Sequence, residues 1–510
     1  MNLGKRTISV LLTISLLLGV FYIANQVRKQ EKQDIFDQTK TLHLWYADET
    51  LTDYLSSVAV KFNEEYGVRV IPVLQTGLEF LEKINEASLS GEAIPDLFIA
   101  SNDNMEKAWL AGLASEITNP DKAISLEMMP ESAINAVTYQ YKLLGYPFYF
   151  ETSALLYNMT YFENLAGEEI RVSLEEQEAA KAEEVDTQTQ ETEEESTESS
   201  SEEAVVLISD EELTRQARER VPSMIPATFD QLLEFADNYE APEDVEAVFR
   251  WDVSDIFFNY FFIGDYIDVG GVFGDDSNSI NLYNRDAIMA LQAYQDLGQY
   301  FAIEADEVDY ETVIQDFMEG KVVMTTATTE VVRRLEEAKK AGEFTYDYGI
   351  APIPDLTDTM RTRNLSVTST IYINGYSQLK SEANEFATWL IREHAEELYD
   401  MTGKVTANKQ VVHENENISA FMQEYEDSVP MPKMLLTSNL WVEIEIAFGK
   451  IWEGAKVSNE LMHLSEHLMS KVTGEEYSET YIDMPNEDEE YYEYVDEETE
   501  EASSENGTAQ

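Results

Sequence analysis

No cysteine occurs anywhere in the 510-residue chain. That excludes a disulfide framework, a thiolate nucleophile and thiolate metal ligands, without identifying a compartment. Positive charge is scarce as well: 34 Lys and Arg stand against 100 Asp and Glu, a formal net charge of −66. Nucleic acid is excluded as a partner, because neutralising phosphates takes Lys and Arg clusters that are missing here. The sequence has no HExxH, no GxSxG and no phosphate-binding glycine loop, so no catalytic residue is expected. His463 and His467 stand four apart, a spacing that can hold a metal, but no third ligand accompanies them. Asp275 to Ser279 lacks the ligand order, the glycine and the closing glutamate of a calcium loop and reads as an ordinary turn. Neither a metal nor a cofactor is expected.

What is present divides the chain. An apolar fraction of 44% is ordinary for a globular protein and can build two sizeable lobes. Lys5 and Arg6 precede an apolar run from Ile8 to Ala24, a length on the border between a signal segment and a spanning helix. Tyr22 two positions before Ala24 suits a signal peptidase poorly. Residues 1–24 are therefore expected to be an uncleaved membrane anchor and 25–40 a polar linker, with the rest at the cell surface. Cleavage and secretion is the alternative. Two acidic low-complexity blocks follow, an insertion over 163–225 and a tail over 473–510. Their Glu, Ser, Thr and Gln bias cannot offset the entropy of ordering, so both are expected to be largely disordered, with the insertion helical at its ends.

Between these blocks the pattern is α/β. LHLWYA (Leu42 to Ala47) reads as a first strand. Thr50 and Asp53 resemble a capping box, and Leu51, Tyr54, Leu55, Val58, Ala59 and Phe62 repeat at helical spacing up to a stop at Gly67. VRVIPVL returns as a second strand, and a right-handed crossover makes the pair parallel. LFIA, just after Pro95, is the short continuous apolar run of a strand buried on both faces. Ser101, Asn102, Asp103 and Asn104 follow it, then a helix expected to turn Trp109 and Leu110 inward. Open α/β sheets bind ligands beyond the carboxyl ends of such strands, which makes this turn a candidate binding wall.

Two stretches carry a resemblance. PDLFIASNDNMEKAWLAGLASEIT (Pro95 to Thr118) and YKLLGYPFYFETSALLYN (Tyr141 to Asn158) together resemble the solute-binding proteins of ABC importers, in the maltodextrin-binding-like sugar cluster. The resemblance implies a two-lobed periplasmic-binding-protein-like fold with a hinge between the lobes. One lobe would comprise 41–150 and 356–412, the other 151–162, 226–355 and 413–472. It implies a monomer that closes over a neutral monosaccharide or oligosaccharide and delivers it to the permease subunits of an ABC transporter. Relatives in bacteria with one membrane usually carry a lipobox cysteine near the amino end, which this chain cannot supply.

Site residues carry over singly. Asp48, after the first strand, matches a polar sugar contact, and Asp103 matches the acidic residue of the turn after the third. Glu151 matches the carboxylate of the second signature at the crossing between lobes. Trp441, in SNLWVEIE, matches a tryptophan that stacks on sugar. Elsewhere the pattern is broken: Ala100 replaces an aromatic, Asn104 a basic residue, and Glu330 and Val332 stand where relatives offer tryptophans. The aromatic cradle is reduced, and Trp251, with Phe257 and Tyr149, is a candidate replacement platform. Each has a plainer role available, core packing for Trp441 and Trp251, helix capping for Asp48 and Asp103. Two further functions fit the same residues: a surface sensory or interaction protein with a degenerate cleft, and a surface carbohydrate-active enzyme.

Overall fold

The computed structural model describes residues 40–484, apart from 76–78, 92–93, 190–207 and 306. The apolar run Ile8 to Ala24, the centre of the acidic insertion and most of the acidic tail lie outside the described residues. Among the described residues no helix is long and apolar enough to cross a membrane.

Two sheets form the two lobes. They are built from β1 (Thr41–Tyr46), β2 (Arg69–Leu74), β3 (Leu97–Ser101), β4 (Tyr146–Glu151), β5 (Ser153–Asn158), β6 (Ala247–Phe249), β7 (Val322–Thr328), β8 (Tyr348–Ala351), β9 (Leu365–Ile373), β10 (Val405–Thr406) and β11 (Val429–Pro430). The first sheet has seven strands in the order β10-β4-β9-β3-β1-β2, with β11 on β9. The second has four, in the order β8-β5-β7-β6. β1 is parallel to both β2 and β3, as the apolar runs and the helical crossover require. β9 returns antiparallel between β3 and β4.

The helix after β1 spans Thr52–Tyr66 and buries Tyr54, Leu55, Val58, Ala59 and Phe62, the face read from the sequence, and ends at a left-handed Gly67. Its start differs from the expected capping box. Asp48 caps a 3-10 turn over Glu49–Leu51 by accepting from Thr50 N, so the cap lies two residues before Thr50. The helix after β3 also departs from expectation. It spans only Met105–Leu110, and Met105 and Ala108 are the residues it buries. Trp109 packs partly buried against the core as expected, whereas Leu110 is 65% exposed. In so short a helix an inward pair three apart puts Leu110 on the outer side.

Among the described residues the chain passes between lobes three times, and the passages are tied together. The first is nearly immediate: Glu151 ends β4 and Ser153 begins β5. Asn364, just before β9, accepts from Ser153 Oγ at 2.8 Å and donates to Ser153 O at 3.0 Å. Asn364 Nδ2 also donates to Glu424, whose other oxygen accepts from Ile353 N at 3.1 Å. Glu424 lies on the helix Asn417–Asp427 that leads into β11 and the third passage. On the same helix Tyr425 stacks on Phe150 with ring centroids 3.9 Å apart. One polar network, buried at Ser153 and Asn364 and half-buried at Glu424, therefore joins all three passages, the arrangement in which every member must stay satisfied.

The ends of the acidic insertion are helical, Met159–Thr189 going out and Asp210–Arg220 coming back. Arg218 pairs with Glu163 at 3.2 Å and Arg220 with Glu169 at 2.7 Å, while Leu213 and Ala217 are buried. After the helix Val457–Thr473, residues 474–484 still lie against the second lobe. Met484 is buried, and Ile482 N donates to Tyr283 OH at 2.9 Å.

Candidate functional site

The fold puts three polar groups at one place between the lobes, each at the end of its own element. Asp48 leaves the carboxyl end of β1 and Glu151 the carboxyl end of β4. Lys404 follows the helix Ala395–Thr402, which ends at Gly403 with φ +75°. The backbone conformation calls for glycine, and a Cβ there would meet the flexible Arg333 side chain of the opposite lobe at 2.8 Å. The Lys404 ammonium lies 3.1 Å from Glu151 Oε1 and 3.6 Å from Asp48 Oδ2. It also stands 5.6 Å from the centre of the Tyr149 ring. Thr329, at the end of β7 in the second lobe, donates its hydroxyl to Glu151 Oε2. Asp48 Oδ1 accepts from Thr50 N at 3.0 Å and Thr50 Oγ1 at 2.6 Å.

These contacts set the charges. Burial on its own would raise the Asp48 pKa, but the Thr50 hydroxyl, Lys404, the Thr50 amide and Tyr149 outweigh it and hold it below the ordinary value. Burial opposes charge on Lys404 too, yet the Glu151 carboxylate, then Tyr149 and Asp48, hold its pKa above the usual lysine range. Tyr149 is pushed up to about 12, chiefly by burial. At neutral pH the centre is an ammonium between two groups that hold it charged.

A cavity of about 720 Å³ opens beside this centre, lined by Thr50, Thr402 and Lys404 from the first lobe and Glu330, Arg333 and Arg334 from the second. Arg333 is bound to Glu337 at 2.8 Å and Arg334 to Glu311 at 2.7 Å. The arrangement offers carboxylate acceptors, an ammonium donor and hydroxyls to a polyhydroxylated ligand. It offers little aromatic surface.

Of the residues singled out from sequence, Asp48 and Glu151 are brought together and Glu330 lines the adjoining cavity. Two others are corrected. Asn102 is fully buried, accepting from Thr368 N and donating to Met431 O, each at 2.9 Å. It ties β9 to the third passage and has no face left for a ligand. Trp251 is also fully buried, donating to Asn259 Oδ1 at 2.8 Å and packed on Phe249 and Trp452. It belongs to the core of the second lobe. Asp103 is half-buried and takes its bonds locally, from Ser101 Oγ and from Asn104 Nδ2 at 3.0 Å. Trp441 is half-buried against Tyr260, 5.7 Å between centroids. Neither Asp103 nor Trp441 lines the cavity. His467 pairs with Glu443 at 3.4 Å on the outer face of the second lobe. Lys404, Thr329 and Thr50 were missed. Lys404 had no sequence signal, because its partner Glu151 is 253 residues away.

A crossing carboxylate, a two-sheet hinge and a polar cleft are the arrangement of proteins that close over small solutes. The sequence pattern of the Bacterial extracellular solute-binding protein family matches residues 48–397. The chain belongs to that family. Among curated members it is 22% identical to the maltodextrin-binding protein MdxE of Bacillus subtilis over 412 residues, covering 78% of this chain and 82% of that one. An extracellular solute-binding protein from Staphylococcus aureus, solved with maltose, superposes with a TM-score of 0.64 at 18% identity, covering 86% of this chain and 98% of that one. The maltose-binding protein MalE of Listeria monocytogenes, also with maltose, gives 0.60 at 19% identity, covering 86% and 99%. At such identities the superpositions establish the two-lobed solute-binding fold.

Proposed function

We propose that this solute-binding protein receives a neutral sugar or oligosaccharide outside the cytoplasm and hands it to the permease of an ABC importer, acting by binding and not by catalysis. The observation that carries this is the polar chain Asp48–Lys404–Glu151–Thr329. It reaches from the first lobe through the crossing to the second and borders a cleft of suitable volume. The maltose and maltodextrin ligands of the proteins it resembles support the same class. Closure follows from differential affinity, since a ligand that contacts both lobes favours the state in which both reach it. Retention at the cell surface by residues 1–24 belongs to the same proposal.

The test is thermal unfolding of the full chain against a library of neutral sugars. A ligand that binds only the folded state at about a hundred times its Kd adds roughly 2.7 kcal/mol and raises the midpoint. Calorimetry on Glu151→Gln then asks whether the crossing carboxylate takes part. A charge-assisted hydrogen bond is worth about 1.5–3 kcal/mol, so affinity should fall tenfold or more. No stabilisation by any sugar refutes the reading. A second reading, a surface sensory or interaction protein on this fold, draws support from the burial of Trp251 and the polar character of the cleft. A cleft silent to every sugar, with the fold intact, would favour it.

A further inference from the structure

Asp48 and Glu151 do not face the cleft as free acceptors, because Lys404 stands between them. A lysine with only 19% of its side chain exposed is not a solubilising surface residue. Its place is fixed by the left-handed Gly403 on one side and by the Tyr149 ring beneath. An ammonium has three N–H donors. One goes to Glu151 at 3.1 Å, while Asp48 at 3.6 Å is at ion-pair and not hydrogen-bond distance. Two carboxylates face this one ammonium, and the other cations lining the cavity, Arg333 and Arg334, are engaged by Glu337 and Glu311.

We propose that Lys404 is the specificity-determining residue of this cleft and reads a vicinal diol. Its ammonium donates to one hydroxyl oxygen of the ligand, and the carboxylate beside it accepts from the adjacent hydroxyl. The proposal rests on the sugar-binding reading above and names the feature of the sugar that is recognised. Alternating carboxylate, ammonium and carboxylate within a few ångströms presents acceptor, donor and acceptor in a row. Neighbouring hydroxyls of a sugar ring, each both donor and acceptor, match such a row at the same scale. An anionic sugar is rejected by the same geometry, since a carboxylate brought to Lys404 meets Glu151 and Asp48 as well. With Trp251 in the core, discrimination falls on these polar groups and not on a stacking platform.

The test is calorimetric titration of the full chain with the same library of neutral sugars, maltose, maltotriose and cellobiose included, and with monodeoxy analogues of the tightest binder. Wild type, Lys404→Met and Lys404→Arg are compared. Wild type is expected to disfavour at least one monodeoxy analogue tenfold or more. Lys404→Met is expected to bind the parent sugar at least tenfold more weakly and to bind parent and analogue alike. Full retention of affinity and discrimination by Lys404→Met overturns the assignment, even where wild type binds sugar. No binding by wild type itself overturns the sugar reading together with this one, so the two failures are told apart by the wild-type titration. Circular dichroism checks the fold. If Lys404→Met does not fold, Lys404→Arg decides: a planar, longer cation should lose the discrimination, and unchanged discrimination overturns the proposal.

Discussion

Glu424 gives the sharpest prediction, because a half-buried carboxylate hemmed in at the junction of three chain passages couples folding to pH. Burial pushes its pKa up to about 7 from an ordinary 4.5, against the lowering effect of bonds from Asn364 and Ile353, and with Asp427 and Asp355 adding to the rise. Arg361 and Arg363 also line the nearby surface, but both are bound to Asp427. The folded state therefore holds a proton that the unfolded chain gives up. The resulting stability is fully present below about pH 4.5 and is lost as pH rises through about 7. At about 1.4 kcal/mol for each pH unit between the two values, the loss is roughly 3 kcal/mol. Glu424→Gln cannot titrate, so its stability should lack this descending component. Its amide must also choose between the Ile353 N–H and the Asn364 side chain, which adds an offset at every pH. The diagnostic is therefore the slope. Equilibrium denaturation of both proteins, followed by tryptophan fluorescence at intervals between about pH 4 and pH 8, measures it. Parallel profiles for wild type and variant would refute the reasoning.

Two substitutions separate structural from binding roles. Trp251→Ala removes a ring from the core of the second lobe and should cost about 3–5 kcal/mol in thermal or chemical unfolding, as large-to-small core changes do. Had Trp251 been a ligand platform, the loss would appear in affinity with stability preserved. Asn102→Ala leaves Thr368 N and Met431 O buried without their partner and should destabilise by about 1–3 kcal/mol, measured by denaturant midpoint. Unchanged stability there would mean that water replaces both bonds.

Much of the fold was legible because its signals are local. The buried face of the first helix is set by a period of 3.6 residues, and β3 by an unbroken apolar run, so neither needs a distant partner to be read. Glu151 was singled out through the resemblance, whose second signature carries a carboxylate at the crossing between lobes. The failures share a cause as well. Asn102 and Asp103 are adjacent polar residues after a strand, and nothing local says that one binds backbone inside the fold while the other stays in the turn. Trp251 has an aromatic neighbourhood that suits a core, the plainer reading, but does not exclude a platform. Which it is depends on Trp452, a residue far along the chain. Lys404 could not be read at all, because the ion centre exists only once β10 has paired with β4.

The two helical ends of the acidic insertion begin and finish side by side, with Glu169 facing Arg220 across 2.7 Å. Chain therefore departs from and rejoins the second lobe at a single doorway, and every strand of both sheets lies outside that detour. Whatever hangs there can be lengthened, shortened or exchanged for another sequence without changing the register of a single strand pair. The insertion and the cleft between the lobes are thus free to evolve on separate schedules. A reporter domain grafted in place of residues 190–207 would ride on the second lobe while leaving both sheets untouched.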